Sequence, residues 1–89
     1  MFEAVEYVEA RDRPGEPVAE RHLGEFSELA AACDTARQAL GEFLTTGSSD
    51  YAWWIVRQRG ARMASWIADS RSQKEFVLDL SSGQLVETG

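Results

Sequence analysis

The stretch YAWWIVRQRGARMASWIADSRSQKEFVLDL, Tyr51 to Leu80, decides the fold. It contains Trp53, Trp54 and Trp66, the three tryptophans of the chain. Apolar and polar residues alternate along it, broken by glycine and serine clusters, so it reads as three consecutive antiparallel strands. A two-residue hairpin turn at Gly60-Ala61, with glycine first, sets Arg59 opposite Arg62, Val56 opposite Ser65 and Trp54 opposite Ile67. A four-residue loop from Ser70 to Gln73 sets Asp69 opposite Lys74, Ile67 opposite Phe76 and Met63 opposite Leu80. The two hairpins agree in parity and put Trp54, Val56, Met63, Ile67, Phe76, Leu78 and Leu80 on one face. That face is expected to meet a helix. The other carries Trp53, Ile55, Arg57, Ala64, Trp66, Ala68, Glu75, Val77 and Asp79. On it Trp53, Ile55, Trp66 and Val77 are expected to form an apolar patch rimmed by Arg57, Glu75 and Asp79.

Upstream, Leu29, Cys33, Ala36, Leu40 and Phe43 or Leu44 recur at helical spacing. Ser27 is the expected N-cap, with Glu28 placed for the helix dipole. Ala30, Ala31 and Ala32 favour helix by propensity. The helix is expected to run to about Thr45 and stop at Gly47. Gly41 interrupts the pattern, either as an early end or as a point of close approach to the sheet. Phe2 to Ala10 reads as a first strand, with Phe2, Ala4 and Val8 the preferred core side and Glu3, Val5, Tyr7 and Glu9 on the other. Pro14-Gly15 marks a turn. Val18 to Leu23 reads either as an edge strand returning beside the first or as loop. Gln84 to Glu87, after the turn Ser81-Ser82-Gly83, reads as a short last strand.

The expected fold class is therefore α+β, a single domain over residues 1–89. One amphipathic helix packs on an antiparallel sheet of four to six strands, in the order β-(β)-α-β-β-β-(β). The order of a helix followed by three antiparallel strands resembles part of a double-stranded-RNA-binding domain in topology alone. The final helix and its basic stretch are missing and the net charge has the opposite sign, so no function is carried across.

The net charge is −6 and is unevenly spread. Residues 1–50 carry −7 and residues 51–89 carry +1. An acidic chain repels a phosphate backbone, which disfavours nucleic acid as a partner. The basic hairpin tip, Arg57 to Arg62, reads as a solvated turn before it reads as a nucleic-acid track. The acid series Glu3, Glu6, Glu9, Asp12, Glu16 and Glu20 has a spacing of three that widens to four after Asp12, and the spacing of three does not fit one face of a strand. No segment has the length of apolar sequence that a membrane span needs, and the N-terminus lacks the pattern of a signal peptide, so cytoplasmic residence is the expectation. Eight arginines against one lysine, with no asparagine, suggest a GC-rich bacterial origin.

Cys33 is the only cysteine and His22 the only histidine, so neither an internal disulfide nor a zinc site of usual composition is expected. Cys33 lies among alanines on the helix and reads as a small core residue. His22 has no nucleophile at a diagnostic spacing. No glycine-rich phosphate loop or nucleophile elbow is present. No catalytic residue, cofactor or metal is assigned. The leading expectation is a non-enzymatic protein-interaction or self-association module, with a homodimer as its simplest form. Its surface would comprise Trp53, Ile55, Arg57, Trp66, Val77 and Asp79. The alternative is a small-molecule site between that face and the 11–26 loop.

Overall fold

The computed structural model describes residues 1–10, 18–46 and 50–88. The Pro14-Gly15 turn, the stop at Gly47 and the serines at 48 and 49 lie outside the described residues. Six strands and one helix follow in the order β1 Phe2–Glu9, β2 Ala19–Phe26, α1 Leu29–Leu44, β3 Tyr51–Gln58, β4 Ala61–Asp69, β5 Lys74–Asp79 and β6 Gln84–Glu87. The strands form one antiparallel sheet in the spatial order β2-β1-β3-β4-β5-β6. This is the α+β arrangement that the sequence predicts. The segment after Val18 is a full strand. No helix is long and apolar enough to cross a membrane among the described residues.

Helix α1 packs on β1, β2, β3 and β4 and reaches neither β5 nor β6. Its buried side chains are Ala32, Ala36, Ala39, Leu40 and Phe43. The buried stripe is thus rotated toward the alanines: Leu29 is exposed and Cys33 only half-buried. Small residues on the helix allow its axis to come close to the sheet, whose facing positions include Ala4, Ala52 and Ala68, all fully buried. Trp54 fills the space this leaves. It is fully buried and meets the Phe43 ring edge-on, with centroids 5.7 Å apart. The helix cap is Glu28 rather than Ser27, and no side chain caps its first turn. Gly41 neither ends the helix nor touches the sheet. A methyl group there would meet open space.

The core side of β1 carries Phe2, Ala4 and Val8, as expected, together with Glu6. The Glu6 carboxylate is buried, and its Oε2 accepts the Trp54 indole N–H at 2.9 Å and a guanidinium N–H of Arg21 at 3.1 Å. A buried indole N–H without an acceptor costs about 1–3 kcal/mol, so this carboxylate fixes the orientation of Trp54.

The register of β4 on β3 departs from the sequence reading. The turn residues are Arg59-Gly60, at φ 52° and 80°, with Gln58 opposite Ala61. Two consecutive positive φ values make a type I′ turn, which suits the twist of a hairpin. Arg57 then faces Arg62, but Val56 faces Ala64, so Met63 is an extra residue in β4. The shifted turn alone preserves the expected parity. The bulge reverses it, because side chains alternate with period two. Trp54 therefore lies opposite Trp66, and Trp53 opposite Ile67. Ile67, Phe76 and Leu78 fall on the face away from the helix, and Trp66 and Val77 on the helix side, contrary to expectation. The β4–β5 register is as expected, with Asp69 opposite Lys74 and Ile67 opposite Phe76.

Met63 is the surplus residue, so its deletion is expected to leave every pairing from Ala64 onward intact. Deleting Ser65 instead keeps Trp66 opposite Trp54 only by moving Met63 into the helix-side place of Ala64, opposite Val56. Thermal unfolding of the two variants checks this: the Met63 deletion unfolds near the wild type, and the Ser65 deletion unfolds at a lower temperature.

Candidate interaction surface

Among the described residues the sheet's second face is open, because α1 lies on the other side. Along β3 it presents Trp53, Ile55 and Arg57. β1 adds Val5 and Tyr7 opposite Ile55 and Trp53, and β4 adds Ile67. Phe76 and Leu78 on β5 continue the row, and Leu85 on β6 lies opposite Leu78. Tyr7 and Trp53 are stacked, with ring centroids 5.6 Å apart and planes at 16°. Val5 is completely buried beneath its neighbours, whereas Trp53, Ile55, Ile67, Phe76 and Leu78 remain partly exposed. Cross-strand pairing of β-branched and aromatic residues thus consolidates this face without closing it.

Of the six residues assigned to the surface from sequence, the structure brings Trp53, Ile55 and Arg57 together on the open face. Trp66 is half-buried against the core on the helix side, with Val77 opposite it. Asp79 is exposed at the end of β5, where its Oδ1 accepts the Ser81 N–H at 2.9 Å and the Ser81 hydroxyl at 2.6 Å. Those bonds hold its carboxyl below its usual pKa, and they make it a turn residue rather than part of a rim. The residues that sequence reasoning missed are Ile67, Phe76 and Leu78, which the Met63 bulge turned outward, and Tyr7. The signal for Tyr7 was its place opposite Ala4 and Val8 in β1. That β1 lies beside β3 had no local signal.

Trp66 and Val77 instead floor a groove of about 550 Å³ beside the helix. Asp34, Arg37 and Gly41 wall it on one side, Glu75 and Thr88 on the other. The segment expected to roof the open face does not do so where it is described: Ala19–Phe26 is a strand in the plane of the sheet.

One end of the open face is charged. Glu3 lies directly opposite Glu25, a pairing of like charges. Arg57 and His22 relieve it. The Arg57 Nε–H donates to Glu3 Oε1, and His22 Nε2 lies 2.8 Å from Glu3 Oε2. The Arg57 bond, above all, lowers the pKa of the Glu3 carboxyl, and Glu3 in turn holds Arg57 more firmly protonated. A bulge in β2 makes the cluster possible. Ala4 pairs with Gly24 but Val5 with His22, so Leu23 is extra and His22 and Glu25 share a face. Gly24 takes φ 147°, and a Cβ there would meet the Phe26 ring at 3.1 Å.

Glu3, His22 and Glu25 bring ligand atoms within 4.8 Å of one another, a spacing that a cation could bridge. Arg57 already places a positive charge on Glu3, which opposes that use. Histidine with an orienting carboxylate is one element of general-base chemistry. Burial raises the Cys33 thiol pKa first of all, with the Asp34 carboxylate adding to the shift, so the thiolate is disfavoured. At the hairpin tip Arg57 is bound to Glu3, which leaves Arg59 and Arg62 as the tip's remaining cations. Compared with family models, curated proteins and solved structures, the chain matches none of them.

The lowered Glu3 pKa sets a pH dependence. A carboxyl with a depressed folded pKa adds stability above its unfolded value, and that stability is lost as pH falls through the folded value. The Glu3→Gln variant is expected to be less stable than wild type at neutral pH by about 1 kcal/mol. Denaturant titrations at a series of pH values check this: the gap closes as the pH falls below the ordinary glutamate range.

Proposed function

We propose that this protein is a non-enzymatic interaction module that docks a protein surface, in the simplest case a second copy of itself, on the open face of its sheet. One observation carries the reading. A continuous row of aromatic and aliphatic side chains, from the Tyr7–Trp53 stack through Ile55 and Ile67 to Phe76 and Leu78, lies on the face that helix α1 does not touch. Each side chain in the row is already partly buried, so covering it recovers a fraction of the roughly 1.5–3 kcal/mol that complete burial is worth relative to exposure. Apolar patches of this kind mark association sites more often than they mark bare monomer surface. Arg57, His22 and the glutamates at one end supply orientation rather than affinity, as charges at an interface rim do.

A second reading has one foothold. Ile55, Arg57, Gly60, Arg62 and Leu80 border a shallow hollow of about 390 Å³ on the same face, within the size range of small-ligand sites. With Arg57 already bound to Glu3, the Arg62 guanidinium is the group there that would favour an anionic ligand.

Light scattering with Trp53→Glu separates the two. A charge beside Tyr7 is expected to lower the solution mass of the wild-type assembly at equal concentration, or to abolish capture of a purified partner by at least tenfold in affinity. A mass and an affinity unchanged by the substitution would overturn the docking face and leave the hollow as the remaining reading.

A further inference from the structure

The two edges of the sheet differ in chemistry. β2 carries Glu20, Arg21, His22 and Glu25, all exposed, and is bent by the bulge at Leu23 and Gly24. Charge and bulging are the usual protections of an edge strand against pairing with another chain. β6 has neither bulge, lysine nor proline, and its only charge is Glu87. Leu85 and Val86 point to opposite sides of it and are 48% and 50% exposed.

The hydrogen-bond phase of this edge follows from one bond. The Thr88 N–H donates to the Glu75 carbonyl at 3.0 Å. Inward-facing main-chain groups alternate along an antiparallel strand, so Val86 and Gln84 face β5 and Leu85 and Glu87 face outward. Among the described residues, the main-chain groups on the outer side of the edge are therefore the N–H and C=O of Leu85 and Glu87. Helix α1 does not reach β5 or β6, so it leaves the helix side of this edge clear for an added strand.

We propose that the β6 edge is an association surface distinct from the open face, and that its occupant is β6 of a second copy, paired antiparallel about a two-fold axis. Two arguments favour a second copy. The first is register. With Leu85 opposite Leu85, the two residues exchange both main-chain hydrogen bonds, and Glu87 falls opposite Gly83 rather than opposite its own carboxylate. An isologous contact needs this self-complementarity. The second is charge. The half of the chain that carries β6 sums to +1 and the half that carries β2 to −7, so joining two copies at β6 keeps their acidic edges farthest apart. A two-fold axis normal to the sheet also leaves both helices on one side. The row Phe76, Leu78 and Leu85 then continues across the axis, doubling the length of the apolar face.

The test compares the solution mass and amide exchange of four proteins: wild type, Trp53→Glu, Leu85→Pro and the double variant. Proline at position 85 removes an outward N–H and takes no bond from β5, so the strand itself is expected to persist. Leu85→Lys, which sets two ammonium groups face to face across the axis, serves if the proline variant unfolds. The expected result is a Trp53→Glu protein with twice the monomer mass, reduced to one monomer mass by adding Leu85→Pro. The Glu87 amide should exchange at least tenfold more slowly in the Trp53→Glu dimer than in the double variant. A monomeric Trp53→Glu protein, or a dimer in which the Glu87 amide exchanges as fast as in the double variant, overturns the proposal. Because the edge is read in the Trp53→Glu background, its failure is separable from failure of the open face.

Discussion

The arrangement depends on the placement of one side chain. Trp54 is fully enclosed between the Phe43 ring and the Glu6 carboxylate, which accepts its indole N–H. Losing such a side chain from a core costs about 3–5 kcal/mol, a large share of what holds a small domain together. Once Trp54 points to the helix, strand alternation sends Trp53 the other way. The same pleat sends Ile55 and Arg57 outward, and β1 then brings Tyr7 and Glu3 to meet Trp53 and Arg57. The open face is thus a geometric consequence of how the core is locked.

The second constraint is width. A helix with its side chains is about 10 Å across, and neighbouring strands lie about 4.8 Å apart. One helix cannot shield six strands. Here α1 sits over β2, β1, β3 and β4, and the sheet overhangs it at β5 and β6. Trp66 and Val77 lie at the boundary, half covered, and floor the groove beside the helix. The overhang leaves apolar side chains on both sides of β6, while at the opposite edge the charges of β2 meet water. Asymmetry between the edges and exposure of the second face share one origin: a single short helix laid toward one end of a wide sheet.

The elements themselves were legible in the sequence. Alternation from Tyr51 to Leu80 marked three strands, the spacing from Leu29 to Phe43 marked the helix, and the loop Ser70 to Gln73 fixed the β4–β5 register correctly. Two features were hidden, and both are backbone choices with little side-chain signature. Arg59 adopts a left-handed conformation that glycine, asparagine or aspartate would normally advertise. Met63 is an ordinary strand residue by composition, yet it is the bulge that inverts every face downstream of it. Trp66 and Val77 were misplaced for this reason alone, while Trp53, Ile55 and Arg57, upstream of the bulge, were placed together correctly. The charge cluster escaped for a different reason. Glu3, His22 and Arg57 are far apart in sequence, and they meet only because β1 lies between β2 and β3.

The most direct test of the account is which neighbours each tryptophan ring touches. Nuclear Overhauser contacts in solution should connect the Trp54 ring with Phe43 and with Trp66, and the Trp53 ring with Tyr7 and Ile67, with none from Trp53 to any residue of α1. Contacts from Trp53 to the helix, or a Trp54 ring adjacent to Ile67 instead of Trp66, would contradict it.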